Sequence, residues 1–296
     1  MKTLEELKAI YETEEVEWEL AKLVKKNKLE EVKEFLKDYP LPDIFLDRQF
    51  KNMRSEVELM PFIDPALILG YAGLAYDRSK SFAMLEYFES LGLKAEEQYL
   101  WNNALTCYVD LGGKEKEIVD YFLQKGCTFE IHDKWSGNAP LHMMVLFNDK
   151  ESVSALEMAL KSGANPNIRT IRAEDKYGLE NEGETPLHAA AMSEESPIGA
   201  CVEVLIKYGA DINAAYFRKS IKKTGEIIYF DPKTPLDTAM TYQVEKNIKI
   251  LKKAGAKTWK ELVKEYNIDT SLEKIEQVKM YEERRKEREK ENPQKN

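Results

Sequence analysis

The chain repeats itself, and the layout of the repeat limits its fold more than any bulk property does. Three stretches align. The first runs Asn138-Ala139-Pro140-Leu141-His142 and ends on Leu160-Lys161-Ser162-Gly163-Ala164-Asn165. The second runs Glu184-Thr185-Pro186-Leu187-His188-Ala189-Ala190-Ala191 and ends on Tyr208-Gly209-Ala210-Asp211-Ile212-Asn213. The third runs Lys233-Thr234-Pro235-Leu236-Asp237-Thr238-Ala239 and ends on Lys253-Ala254-Gly255-Ala256-Lys257. A short unit recurring in this way cannot bury its apolar face alone, so neighbouring units must stack to make a common core.

Each part of the unit has a local reason. Thr185 and Thr234 stand where a hydroxyl can cap a helix start. Pro186 and Pro235 then occupy the first helical turn, where the missing N–H would lack a helical partner anyway. Leu187 and the alanines after it make a small apolar face suited to close packing. Val202, Leu205 and Ile206 give a second helix its buried stripe. Gly163, Gly209 and Gly255 fall just past that helix, where a left-handed backbone is least costly. The pattern predicts a helix–turn–helix unit.

The Thr185-Pro186-Leu187-His188-x-Ala190 string resembles the ankyrin repeat, whose period is about 33 residues. The resemblance implies an all-α ankyrin-repeat solenoid of about five to six helix–turn–helix units, a free-standing array of bacterial type. It also implies that His142 and His188 tie backbone together and do no chemistry. Weaker copies lie upstream: Asn103-Ala104-Leu105-Thr106-Cys107 leads to Gly126, and Asp64-Pro65-Ala66-Leu67 leads to Gly92, 34 residues before Gly126. The expected organisation is an N-terminal helical cap or degenerate repeat over 1–60, then repeats at about 61–95, 98–130, 135–168, 183–214 and 232–257. A capping helix and a charged helical tail follow over 258–296. Trp18 is read as a core residue of the first part.

The spacing departs from the family in the second half. Gly163 to Gly209 and Gly209 to Gly255 are each 46 residues, and the excess lies between the turn glycine and the next Thr-Pro. Two enlarged finger loops result. The first, 168–183, is mixed in charge. The second, 214–230, reads as an elongated β-hairpin with β-branched and aromatic flanks and a turn at Lys223-Thr224-Gly225-Glu226. Loops beyond about 12 residues in a compact scaffold are functional or disordered, and this aromatic content points to order. Beyond Lys257, Trp259, Leu262, Val263 and Tyr266 suit a capping helix. From Glu282 on, Arg, Lys and Glu alternate, which predicts a solvated tail.

Bulk composition narrows the function. The net charge of −9 argues against nucleic-acid binding, which needs a basic surface. Three cysteines, Cys107, Cys127 and Cys201, with no CxxC pair, fit reduced thiols in a cytoplasmic protein. No apolar run reaches the roughly 18 residues of a membrane span. His132, His142 and His188 are the only histidines, and no phosphate-binding glycine loop, catalytic triad or metal-ligand cluster is present. No metal, cofactor or enzymatic activity is expected. The alternatives are an activity in the diverged N-terminal region, or RNA binding through the basic hairpin and Arg284, Arg285 and Arg288.

The expected function is binding of a partner protein through the finger loops and the concave face, as an inhibitor, immunity protein or adaptor, by a chain that is monomeric before it binds. Aromatic and arginine side chains are the usual anchors of such interfaces. The candidates are Trp135, Ile171, Arg172, Tyr177, Tyr216, Phe217, Arg218, Lys222 and Tyr229. The basic tip of the second finger would meet an acidic patch.

Overall fold

A computed structural model describes residues 14–39, 47–51, 57–61, 64–98, 102–133, 136–147, 150–171, 173–174, 179–194, 199–221 and 227–291. The chain divides into two compact units, Met1–Ile131 and His132–Asn296.

The first unit contains α1 (Glu14–Lys25), α2 (Leu29–Asp38), β1 (Asp47–Lys51), β2 (Val57–Pro61), α3 (Pro65–Ser79), α4 (Ala83–Ser90), α5 (Ala104–Asp110) and α6 (Lys116–Gln124). The helices come in pairs, and α1, α3 and α5 pack in succession. Asp64 starts α3 by accepting from the N–H groups of Ala66 and Leu67, with Pro65 at the first helical position. Asn103 and Thr106 close α5 with a reciprocal capping box. The α3–α5 contact is close because Gly70 faces the Cys107 side chain, where an added Cβ would come within 2.8 Å.

Two expectations are corrected here. Residues 1–60 were read as a helical cap or degenerate repeat, yet β1 and β2 pair antiparallel, Asp47 opposite Pro61 and Lys51 opposite Val57. Val57-Glu58-Leu59-Met60 has the period-two start of a strand, which a search for helical spacing passes over. Trp18 was read as core, but it is 68% exposed, while Leu20 and Val24 make the buried side of α1.

The second unit contains α7 (Pro140–Phe147), α8 (Lys150–Lys161), β3 (Ala173–Glu174), β4 (Leu179–Glu182), α9 (Pro186–Ala191), α10 (Ala200–Lys207), β5 (Phe217–Ile221), β6 (Ile227–Tyr229), α11 (Pro235–Thr241), α12 (Glu245–Lys253), α13 (Trp259–Glu265) and α14 (Lys274–Glu291). First helices stack in the order α7–α9–α11 and second helices in the order α8–α10–α12. Leu141, Leu187 and Leu236 are buried in the first row, and Leu156, Leu205 and Leu251 in the second. Each such side chain contributes about 2–3 kcal/mol when removed from water. Gly163, Gly209 and Gly255 have φ of 92°, 86° and 89°, the left-handed geometry expected from their position.

The two fingers form one sheet. The strand order is β3-β4-β5-β6, all antiparallel, and β4 of the first finger pairs with β5 of the second from Leu179 opposite Ser220 to Glu182 opposite Phe217. The base of the second finger is closed by mutual backbone bonds between Tyr216 and Lys233, at 3.1 and 2.8 Å.

The tail is corrected in part. α14 continues to Glu291, with Gln277, Val278 and Tyr281 buried and Glu282, Arg284 and Arg285 half-buried, while residues 286–291 are exposed as expected. Tyr281 meets Trp259 and Tyr266 edge-on, with centroids 5.6 and 5.1 Å apart. Arg284 donates to the carbonyls of Tyr266 and Asn267, and Arg288 donates to the Glu265 carbonyl at 2.6 Å. These carbonyls end α13, where the helix dipole is negative, so cations settle there readily.

Candidate functional site

The histidines form the links between successive units. Nδ1 of His142 accepts from the Ala139 N–H at 3.1 Å, and its Nε2–H donates to the Glu184 carbonyl at 3.1 Å. His188 repeats the arrangement, taking the Thr185 N–H at 3.2 Å and donating to the Lys233 carbonyl at 3.3 Å. A backbone carbonyl can only accept, which fixes Nε2 as the protonated nitrogen in both. Burial lowers the pKa of His142 to about 4 and of His188 to about 3, so both are neutral near pH 7. His132 belongs to the same class, its Nε2–H donating to the Arg169 carbonyl at 2.9 Å.

In the third copy of the motif Asp237 stands in place of histidine. A carboxylate cannot donate onward. Its Oδ2 accepts instead from the Thr234 N–H at 3.0 Å and from the Trp259 N–H of α13 at 2.7 Å. The substitution turns a unit-to-unit link into a socket for the capping helix.

The Cys107 and Cys127 thiols are not poised for nucleophilic work. Burial pushes Cys127 up to about 12 and Cys107 well above its ordinary value, and the Cys127 thiol donates to the Ala95 carbonyl at 3.1 Å. Among the described residues no three His, Cys, Asp or Glu side chains converge on a point that could hold a metal ion.

What remains is a surface on the second unit, running from the first finger across the second to the end of α11. Ile171 is 47% exposed, and Phe230, Met240 and Tyr242 are exposed to a similar degree, with Tyr229 slightly less so. Arg218 lies beside Phe230, whose N–H donates to the Arg218 carbonyl at 2.8 Å. Its guanidinium sits 5.8 Å from the Tyr216 ring and 3.9 Å from the carboxylate of Glu184, and it bonds the Tyr242 side chain. Glu184 is buried, and that burial raises its pKa against the opposing pull of Arg218 and Lys233. Lys233 is held down by burial and by repulsion from Arg218, and its ammonium donates to the Thr241 hydroxyl at 3.0 Å. The arrangement sets two cations over one buried carboxylate inside an exposed apolar rim.

The sequence candidates divide into three groups. Ile171 and Arg218 reach the surface, whereas Tyr229 pairs with Lys219 and so points to the other face of the sheet from Arg218, with its ring 6.3 Å from that of Phe217. Trp135, Arg172, Tyr177 and Lys222 lie outside the described residues. Tyr216 and Phe217 need correction. Tyr216 is only 3% exposed and packs edge-on against His188 at 4.6 Å, because the first residue of the hairpin still lies over the neighbouring unit. Phe217 is half-buried against the core made by Ala215, Trp259, Leu262 and Tyr281.

Met240 and Tyr242 were missed. Met240 falls four residues after buried Leu236, so periodicity assigns it to the core, but α11 ends at Thr241 and leaves both residues at its open end. In the alternative of RNA binding through the basic hairpin and the tail, the three tail arginines already have partners within the chain. Arg285 pairs with Asp211 and Glu289, and Arg284 and Arg288 are spent on α13.

A comparison with protein families matches residues 105–216 to a model described as ankyrin repeats in three copies. A comparison with curated proteins finds no match. Among the described residues, no helix is long and apolar enough to cross a membrane.

Proposed function

Because the chain is an ankyrin-repeat protein, and such repeats are generally protein–protein interaction modules, we propose that it binds a partner protein through the finger sheet and the open end of α11. The observation that carries this is the exposure of Phe230 and Tyr242 beside Arg218: the Phe230 N–H donates to the Arg218 carbonyl at 2.8 Å, the Arg218 side chain bonds Tyr242, and Met240 is exposed at the same end of α11. Aromatic, methionine and arginine residues are enriched at the energetic centres of interfaces, whereas a monomer's surface exposes large apolar groups singly.

The partner surface is acidic with an apolar centre. Arg218 and Lys233 stand at the site, and Lys219, Lys222 and Lys223 follow in the second finger. The chain as a whole carries −9, so this basic end is local and would steer an acidic partner into register. The chain acts as a stoichiometric blocker of its partner, in the manner of an inhibitor or immunity protein. It is a cytoplasmic monomer before it binds.

Replacing Phe230, Met240 and Tyr242 together by serine tests the surface. These side chains are exposed, so the fold should keep its stability while partner affinity falls about 100-fold or more. An unchanged affinity would move the site elsewhere.

A further inference from the structure

We propose that α14 is a brace that sets the position of the finger sheet, with Arg169 as the positioning residue that joins the two. Arg169 sits at the start of the first finger. Its Nη1 donates to the carbonyls of Gly183, at the end of the first finger, and Ala215, at the start of the second, both at 2.9 Å. Its Nη2 meets the Glu282 carboxylate of α14 at 2.8 Å. One planar guanidinium therefore ties the bases of both fingers to each other and to a helix 113 residues further along the chain. A lysine has the charge but not the fixed fork of donors needed to serve three acceptors at once.

Two independent observations support the assignment. Gly183 has φ of +83°, and a Cβ there would stand 3.3 Å from the Arg169 guanidinium, so the finger backbone is shaped around this side chain. α14 also grips the second finger on both sides of its base. On one side the Tyr281 hydroxyl donates to the Asn213 carbonyl at 3.0 Å and the helix packs against β5. On the other, Lys274 pairs with Asp231 at 2.7 Å. A helix that only closed the last repeat would need neither finger.

The inference deepens the binding reading above, since a braced sheet presents its anchors already in place and loses less conformational freedom on binding. Its test needs no partner. Hydrogen–deuterium exchange on the full chain, read by mass spectrometry, compares the parent with Glu282→Ala and Arg169→Lys. Peptides covering 214–221 should exchange about 5-fold faster or more in both variants, while those covering 235–253 keep the parental rate. Should Arg169→Lys loosen the whole unit, Glu282→Ala, which removes the acceptor on α14 and leaves the bonds of Arg169 to both fingers, decides. Unchanged exchange at 214–221 in Glu282→Ala, whether or not α14 itself speeds up, overturns the brace. The result is independent of binding. A braced sheet whose serine variants bind as the parent does would refute the proposed surface and leave the brace standing.

Discussion

His188 joins two successive units through one ring, its Nε2–H donating to the Lys233 carbonyl while Nδ1 accepts from the Thr185 N–H three residues before it. The imidazole is fully buried, and without it the Thr185 N–H loses its acceptor, whereas the Lys233 carbonyl keeps the Tyr216 N–H. Leaving a buried donor without a partner costs about 1–3 kcal/mol. His188→Leu should therefore lower unfolding stability by about 1–3 kcal/mol in urea titrations near neutral pH. A midpoint equal to that of the parent would show that the ring only fills space.

The same burial makes the fold sensitive to acid. His142 and His188 have folded pKa values of about 4 and about 3, while an unfolded histidine titrates near 6.5. Below about pH 6.5 the unfolded chain takes up protons that the folded chain refuses, so this stability is full above that pH and is lost as pH falls toward 4. From pH 7 to 5 the loss is about 2 kcal/mol per histidine. Glu184, whose pKa burial raises, opposes this in part. Urea midpoints at pH 7 and pH 5 measure the effect, and a midpoint that rose on acidification would contradict it.

Tyr216 and Tyr242 should separate folding from binding. Tyr216→Ala empties a buried site against His188 and should destabilise by about 3 kcal/mol. Tyr242→Ala removes an exposed ring and should stay within about 0.5 kcal/mol of the parent. Thermal melts of the two variants provide the check, and equal losses would place Tyr242 in the core.

Gly199 is required by both its backbone and its neighbour. It has φ of +85° at the start of α10, and a Cβ there would come within 2.5 Å of the Ile250 Cδ1 on α12. Gly199→Ala should cost about 1–2 kcal/mol. Adding Ile250→Val removes that methyl and should recover part of the loss. No recovery would assign the whole cost to the backbone.

The repeat was legible because its signals are local. Thr234-Pro235, the helix start at Pro186 and the glycine turns at 163, 209 and 255 each act within a few residues, and recurrence in register multiplied their weight. The joined finger sheet was not legible. Pairing Asn181 with Arg218 depends on two loops of separate units extending side by side, which no short window shows. The tail misled for a different reason. Its alternating Arg, Lys and Glu look like a solvated face, yet docking rests on Tyr281 and on arginines aimed at backbone carbonyls, and composition does not reveal the aim of a side chain. Asn247 is a similar case. It is a buried asparagine on α12 whose amide donates to the carbonyls of Ala190, Ala191 and Ser193, closing the end of α9 from the next unit.

Quantitative affinity capture tests the central claim most directly, comparing the full chain with the Phe230→Ser, Met240→Ser, Tyr242→Ser triple variant at matched folded concentration. The account predicts an acidic protein retained stoichiometrically by the parent and lost from the variant, while the two proteins melt alike. The same partner retained equally by both would contradict it.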